Sequence, residues 1–522
     1  MTVNKNGRKI LEIFGYTKPN IKEDEDRITV HAAVSRFAFI YERIRNIVDY
    51  KDEHLIRKAA ILRILKRQLL LEPDPRNIAE QLVRELIGAR YLPNGALPVS
   101  LIDHVSWIIY KLQLVLKVNA GPESHQEWLK AMVAVEIEDT VVDASREKAL
   151  ASFLFERISR SVKVRGAALD DFDLRLQIYV ACYRTLFKAD DEIVGYKLLR
   201  VYLPEWMTPQ AWMSNPRPIA ERLVAVRHRI KGQLGYALSQ RFQRAVKPWA
   251  AALDMMTQIY LKDPVNTPIM IEKPETLKAE IGKYAEGRYA KVKSKLRKGT
   301  VRAMLYLLLT KMIVALVLEV PVEMYMYQKV HLESLMVNLL FPPFIMFLVG
   351  VFIRLPGFDN TERIQQAAEE LVSDQPVTVK TIVAPRLRSA FATSMLTLTY
   401  TLTFVMTFGL IYLILNALSF TWVSILIFMF FLCLVSFFAY RLRMGAREVV
   451  VTDNRVTLWG SVTDFFSIPV LRAGRWLSLG INRINIFLFF FDFIFEAPYK
   501  FILTLLEEWF AFAKEKKDEL QP

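Results

Sequence analysis

Apolar positions in the first 300 residues recur at spacings of three and four, and beyond residue 300 they merge into long unbroken runs. The first pattern predicts amphipathic helices, the second helices that cross a bilayer. Val30, Val34, Phe37, Tyr41, Ile44 and Val48 share one helical face, as do Leu55, Ala59, Leu62, Leu65 and Leu69. Ile78, Leu82, Leu86 and Ala89 form a third stripe, opened by Asp74 as N-cap with Pro75 at the first helical position. Helices are expected over 101–118, 123–160, 171–188 and 190–202, and a long one carries Ile219, Leu223, Val226, Ile230, Leu234 and Leu238 to about Lys247. Strand-like alternation is scarce and no repeat period stands out, so 27–299 reads as a soluble all-α domain, with proline and tryptophan punctuation at 203–218 where it can divide in two. Residues 1–26 are polar, end in the acidic cluster Glu23–Asp26, and read as a mobile tail.

Four apolar segments follow, at 303–322, about 335–353, 391–416 and 419–440. About 20 residues suffice to cross the hydrocarbon core. The joints at 324–333 and 416–420 are short, so 300–355 and 391–441 read as two transmembrane hairpins. In the linker 356–390, residues 377–383 alternate like a strand. In 442–463, Asp453-Asn454 between two β-rich runs signals a hairpin. These strands are expected to meet in a small cytoplasmic sheet. Residues 464–522 mix aromatics with Arg472 and Arg475 and end in a charged tail, which suits amphipathic interfacial or re-entrant helices; a fifth and sixth span is the alternative. The predicted fold is mainly α: an all-α soluble domain, a four-span helical membrane block, a small β element and C-terminal interfacial helices.

Charge then fixes an expected orientation. The net charge of +15 would point to nucleic acid in a soluble chain, but here the basic residues flank the apolar runs, which makes nucleic acid a poor fit and anionic headgroups a good one. Lys291, Lys293, Lys295, Arg297, Lys298 and Arg302 precede the first span, Arg354 and Arg363 follow the second, Lys380, Arg386 and Arg388 precede the third, and Arg441, Arg443 and Arg447 follow the fourth. The opposite loops hold only Lys329 and His331. Both termini are therefore expected on the cytoplasmic side of a cell (inner or plasma) membrane. Lys291, Lys293, Lys295, Arg297, Lys298, Arg472 and Arg475 are the candidate headgroup contacts. No apolar stretch follows the first nine residues, so no cleavable signal peptide is expected. Cys182 and Cys433 exclude a disulfide framework.

Candidate chemistry is sparse. Lys311 lies near the middle of the first span, where a charge is costly, and Glu319 and Glu323 lie further out. A polar path from Lys311 to these carboxylates is one reading; pairing with Asp492 or Glu496 is the plainer one. The threonines at 393, 397, 399, 401, 403 and 407 can line a pore, but more often bond their own helix. Pro342-Pro343 breaks or bends the second span. The basic residues of 222–247 read as a solvated face, and the acidic clusters at 170–173 and 190–192 as helix starts rather than cation ligands. The six histidines lie far apart, and no phosphate loop, dinucleotide fingerprint or nucleophile elbow is present, so no catalytic, metal or cofactor residue is nominated. The reading is a multi-pass membrane protein, not an enzyme, whose helical domain binds protein partners as a scaffold. An oligomeric channel or transporter with a polar path around Lys311 is the alternative, and a lipid-modifying enzyme is weaker.

Overall fold

The computed structural model describes residues 4–16, 26–30, 39, 42, 52–119, 121–167, 169–328, 332–353, 356–384, 389–447, 449–452, 468–476 and 509. It is mainly α, with four long apolar helices in the C-terminal half and one two-stranded parallel sheet. The chain divides into two compact units, one mainly Val3–Ala250 with Ser373–Ile382, the other mainly Ala251–Val372 with Val383–Asn485.

In the first unit the described helices are α1 (Lys5–Phe14), α2 (Glu53–Leu71), α3 (Pro75–Gly88), α4 (Ser100–Val118), α5 (Glu123–Val141), α6 (Ser145–Ile158), α7 (Asp171–Leu186), α8 (Asp191–Tyr202) and α9 (Arg217–Leu234), and α10 (Ser239–Lys262) begins here. Asp74, Asp170 and Asp190 cap α3, α7 and α8 by accepting from Arg76, Asp173 and Ile193 N–H groups, so the acidic clusters are helix starts. The apolar stripes meet in one core that includes Ile61, Leu65, Leu82, Leu86, Ile109, Leu112, Val133, Ile137 and Leu198. One ion pair is built into it. Lys111 Nζ donates to Glu136 Oε1 at 2.5 Å and sits 4.2 Å above the Trp206 ring, whose Nε1 donates to Glu136 Oε2 at 2.9 Å.

Three expectations need correction here. The expected mobile tail contains α1, whose Ile10 and Phe14 are buried. Its first N–H groups, on Lys5 and Asn6, donate to the Asp374 carboxylate at 3.1 Å, a cap supplied from 368 residues away and invisible to local pattern. The helix expected over 123–160 is two, parted after Val141. The long helix expected to reach Lys247 stops at Gly235, whose N–H closes on Lys231 O, and α10 starts four residues later; Gly232 and Gly235 are poor helix formers. The strand expected near 377–383 exists as β2 (Lys380–Val383), and among the described residues it pairs with β1 (Val162–Arg165), with Lys380 N donating to Ser161 O at 2.7 Å. Most of the expected 448–459 strands lie outside the described residues, as does most of the helix expected over 30–48.

In the second unit, α11 (Thr267–Glu272) leads into α12 (Pro274–Val314), which runs through a π turn (Ala315–Glu319) into α13 (Val320–Tyr327). Helices α14 (Leu332–Phe352), α15 (Phe358–Val372), α16 (Ala390–Ala417) and α17 (Trp422–Arg447) follow. Four helical runs, Pro274–Met326, Leu332–Val351, Ala390–Ala417 and Trp422–Arg447, are long and apolar enough to cross a membrane. Helices α12, α14 and α17 pack closely. Gly350 of α14 lies under Thr300, where a β-carbon would stand 2.4 Å from Thr300 Cγ2. Leu307, Met346, Phe431 and Val435 close an apolar cluster among the three. Pro342 and Pro343 do not break α14, which is continuous. Helix α16 buries little besides Thr403, Thr407 and Leu415. It ends in an αL residue, Ser419, with Phe420 N bonded to Leu415 O and their side chains in one cluster, a Schellman closure that turns the chain into α17.

Helix α15 lies along the polar half of α12: Gln365 Nε2 donates to Lys278 O, and Lys278 pairs with Glu369 at 3.0 Å. Residues 468–476 form a short helix with exposed Arg472, Arg475 and Trp476. Its Gly474 lies against α17, where a β-carbon would fall 2.3 Å from Cys433 O, and the Arg472 guanidinium stacks 4.8 Å from the Tyr400 ring of α16.

Candidate functional site

Among the described residues, the densest group of buried polar side chains in the bundle comprises Lys311, Glu319, Glu323, Asn338, Thr421 and Ser424. Its geometry starts with the π turn. At about 100° per residue, a regular helix would bring residue 318, seven positions on, back over Lys311. The π turn inserts one extra residue into the count, so Glu319 takes that place. Glu323 follows one turn later on the same face. Pro321 supplies a local reason for the widening: its ring would clash with the Val317 carbonyl in a regular helix.

Lys311 Nζ stands 3.6 Å from Glu319 Oε2, with both side chains fully buried, and 4.8 Å from the centroid of Phe431. Glu319 Oε1 accepts from Asn338 Nδ2 at 2.5 Å and Ser424 Oγ at 2.6 Å. Ser424 Oγ also lies 2.9 Å from Glu323 Oε1, and Thr421 Oγ1 lies 3.1 Å from both Glu323 Oε1 and Ser424 Oγ. Thr421 is the N-cap of α17, accepting from Ser424 N at 3.2 Å, and this cap holds the Ser424 hydroxyl against the carboxylates. Pro342 lacks the N–H that would bond the Asn338 carbonyl, which adds a freed acceptor at the same level. Among the described residues, Lys311 Nζ, Glu319 Oε2 and Asn338 Oδ1 have no hydrogen-bond partner.

The cluster is a ladder. It begins at the bundle end carrying the α16–α17 turn, with Thr421 and Glu323, and descends through Ser424, Glu319 and Asn338 to Lys311. Beyond Lys311 the apolar cluster of Leu307, Met346, Phe431 and Val435 fills the space between the helices.

The sequence-predicted residues Lys311, Glu319 and Glu323 therefore come together. Lys311 pairs with Glu319; Asp492 and Glu496, the other partners expected for it, lie outside the described residues. Asn338, Thr421 and Ser424 were not singled out from sequence. Their signal was present as lone polar residues within or at the edge of apolar runs. The hydroxyls of α16 stay apart from the site: Thr393, Thr397, Thr399, Thr401, Thr403 and Thr407 each donate to the carbonyl four residues earlier, at 2.7–3.1 Å.

The candidate headgroup residues Lys291, Lys293, Lys295, Arg297 and Lys298 are all exposed on α12. Gly299 against Leu442 and Leu296 against Gly445 bring this run level with Arg441, Arg443 and Arg447 of α17. Upstream, Lys278 and Arg288 have carboxylate partners in Glu369 and Asp254. From Gly287 to Leu318 and from Ser389 to Arg447 the sequence has no carboxylate at all. No group of residues that could hold a metal ion occurs among the described residues.

The chain matches no family model, no curated protein and no solved structure.

Proposed function

We propose that the protein anchors a helical interaction domain at the cytoplasmic face of a membrane and binds a protein partner there. The observation that carries this is an exposed aromatic face on α4. Trp107 and Tyr110 pack edge to face at 6.0 Å and stand 54% and 41% exposed, opposite the buried Val105, Ile109 and Leu112. Gln113 of α4 bonds Pro73 O, next to the exposed Leu70 and Leu71 at the end of α2. Large aromatics left in solvent at helical spacing are costly unless something docks on them.

The run 291–302 supports the orientation. No carboxylate lies between Gly287 and Leu318, and the cations stand where the apolar span begins, which suits anionic headgroups on the cytoplasmic leaflet. The channel reading draws less support, because the apolar cluster closes the ladder below Lys311 and the α16 hydroxyls are spent on their own helix.

The test is purification in mild detergent of the wild type and a Trp107→Ser/Tyr110→Ser variant. A stoichiometric protein partner present with the wild type and lost with the variant, which itself stays folded, is the expected result. Ion flux through liposomes carrying the purified protein, abolished by Lys311→Leu, would overturn it in favour of a channel.

A further inference from the structure

Helix α12 changes character along one face without a break. At about 100° per residue, Lys291, Lys295, Lys298 and Arg302 fall within about 60° of one another, in a stripe that climbs about 16 Å of the helix axis. All four are exposed. Leu305, Tyr306, Leu309 and Ile313 carry the same face onward, and each is more than half exposed. Thr300, Leu307 and Lys311, all buried, hold the opposite side against the bundle. Tyr306 packs edge to face on Phe438 of α17 at 5.9 Å, which gives the apolar half of the face a wall. A topological anchor needs only positive charge near a span and no particular face. Here four of the six cations of 291–302 share one face, and that face is the one that turns apolar where they end. No carboxylate lies between Gly287 and Leu318.

We propose that this face of α12 binds one anionic phospholipid, its phosphate against Lys298 and Arg302, its headgroup toward Lys295, and its acyl chains along Leu305, Leu309 and Ile313. The two ends of such a lipid differ as the two halves of the face do. Lysine and arginine stems are long enough to bring Lys298 and Arg302, one turn apart, to the same phosphate. The Arg302 guanidinium can donate to two phosphate oxygens at once, and the Lys298 ammonium adds a point charge. Lys291, further from the apolar edge, adds to the field that draws an anionic lipid in. A zwitterionic lipid offers the same chains but balances its phosphate with its own ammonium. A soluble phosphate offers the charge but nothing for the exposed leucines. The proposal deepens the headgroup contact offered above and rests on the chain being a membrane protein; it does not depend on partner binding at Trp107 and Tyr110.

The test is native mass spectrometry of the delipidated full-length protein in detergent, titrated with dioleoylphosphatidylglycerol or dioleoylphosphatidylcholine, which share their chains. The expected result is one phosphatidylglycerol bound more tightly than phosphatidylcholine, by about fivefold for each cation engaged. Lys295→Gln/Lys298→Gln should weaken phosphatidylglycerol binding at least about fivefold. Lys293→Gln/Arg297→Gln removes as much charge at the same level, but on the other side of a helix about 10 Å wide, a full screening length in about 0.15 M salt, and should weaken it less than about twofold. Equal affinity for the two lipids, or equal losses in the two variants, would reduce the stripe to a general basic field and overturn the proposal. Displacement of the lipid by an equal concentration of glycerol 3-phosphate would assign the site to a soluble phosphate and overturn it too. A wild type that does not float with liposomes overturns the membrane reading along with the site, whereas one that floats but does not distinguish the two lipids overturns the site alone. The lipid comparison and the glycerol 3-phosphate arm need only the wild type, so a misfolded variant leaves the test intact.

Discussion

Removing one partner of the Lys311–Glu319 pair should cost far more than removing both. At 3.6 Å the Coulomb attraction is about 4–5 kcal/mol for an effective dielectric constant near 20, and the ammonium over the Phe431 ring adds about 2 kcal/mol when desolvated. Desolvation of both ions offsets much of this in the intact pair, so the pair's net worth is small. Lys311→Met deletes the attraction but leaves Glu319 buried, with Asn338 and Ser424 the donors to it among the described residues. The expected loss is about 3–5 kcal/mol, the range for a buried charge stripped of its partner. Lys311→Met/Glu319→Gln removes both charges, shortens the first side chain by one atom and leaves the second isosteric, so that it can still accept from Asn338 and Ser424. It should lie within about 2 kcal/mol of the wild type, so the cycle should give a coupling of at least about 2 kcal/mol. The assay is unfolding in mixed micelles by titration with sodium dodecyl sulfate, followed by far-UV circular dichroism. A single variant as stable as the wild type, or a double variant as damaged as the sum of the singles, refutes the buried-pair geometry.

Three further outcomes test the packing. Gly350→Ala should destabilise the bundle by about 1–3 kcal/mol, because the new methyl meets Thr300 Cγ2, and Thr300→Ser should relieve it; no rescue in the same titration would place the clash elsewhere. Asp374→Ala should uncap α1 at a cost of about 1 kcal/mol and open residues 5–14 to limited proteolysis, and an unchanged cleavage pattern would count against the long-range cap. Burial, and then the Arg227 charge, lower the pKa of His125. The unfolded chain therefore takes up this proton first, so the stability His125 permits is full above about pH 6.5 and falls as pH drops below it, by at most about 1.4 kcal/mol per unit. His125→Phe keeps the stack on Trp128 and should flatten that part of the urea-midpoint profile; identical profiles for the two proteins would exclude His125 as the cause.

The periodicity of the chain determined which segments are helices and which four can cross a membrane, because three-to-four spacing and unbroken apolar length are local properties. Aspartates ahead of apolar stripes located the starts of α3, α7 and α8 for the same reason, since a cap acts within its own turn. What escaped was set by contacts distant in sequence. The cap of α1 comes from Asp374, and β2 pairs with β1, more than 200 residues earlier in the chain. The buried site lay between these extremes. Lys311, Glu319 and Glu323 could be named from their cost in an apolar run, but regular helical spacing puts residue 318, not Glu319, over Lys311. Only the π turn ahead of Pro321 moves the carboxylate into place, and only the packing of α14 and α17 on α12 supplies Asn338 and the capped Ser424 that meet it. An isolated helix has no reason to place those groups there; three packed helices do, because a buried carboxylate without hydrogen-bond donors from its neighbours is costly.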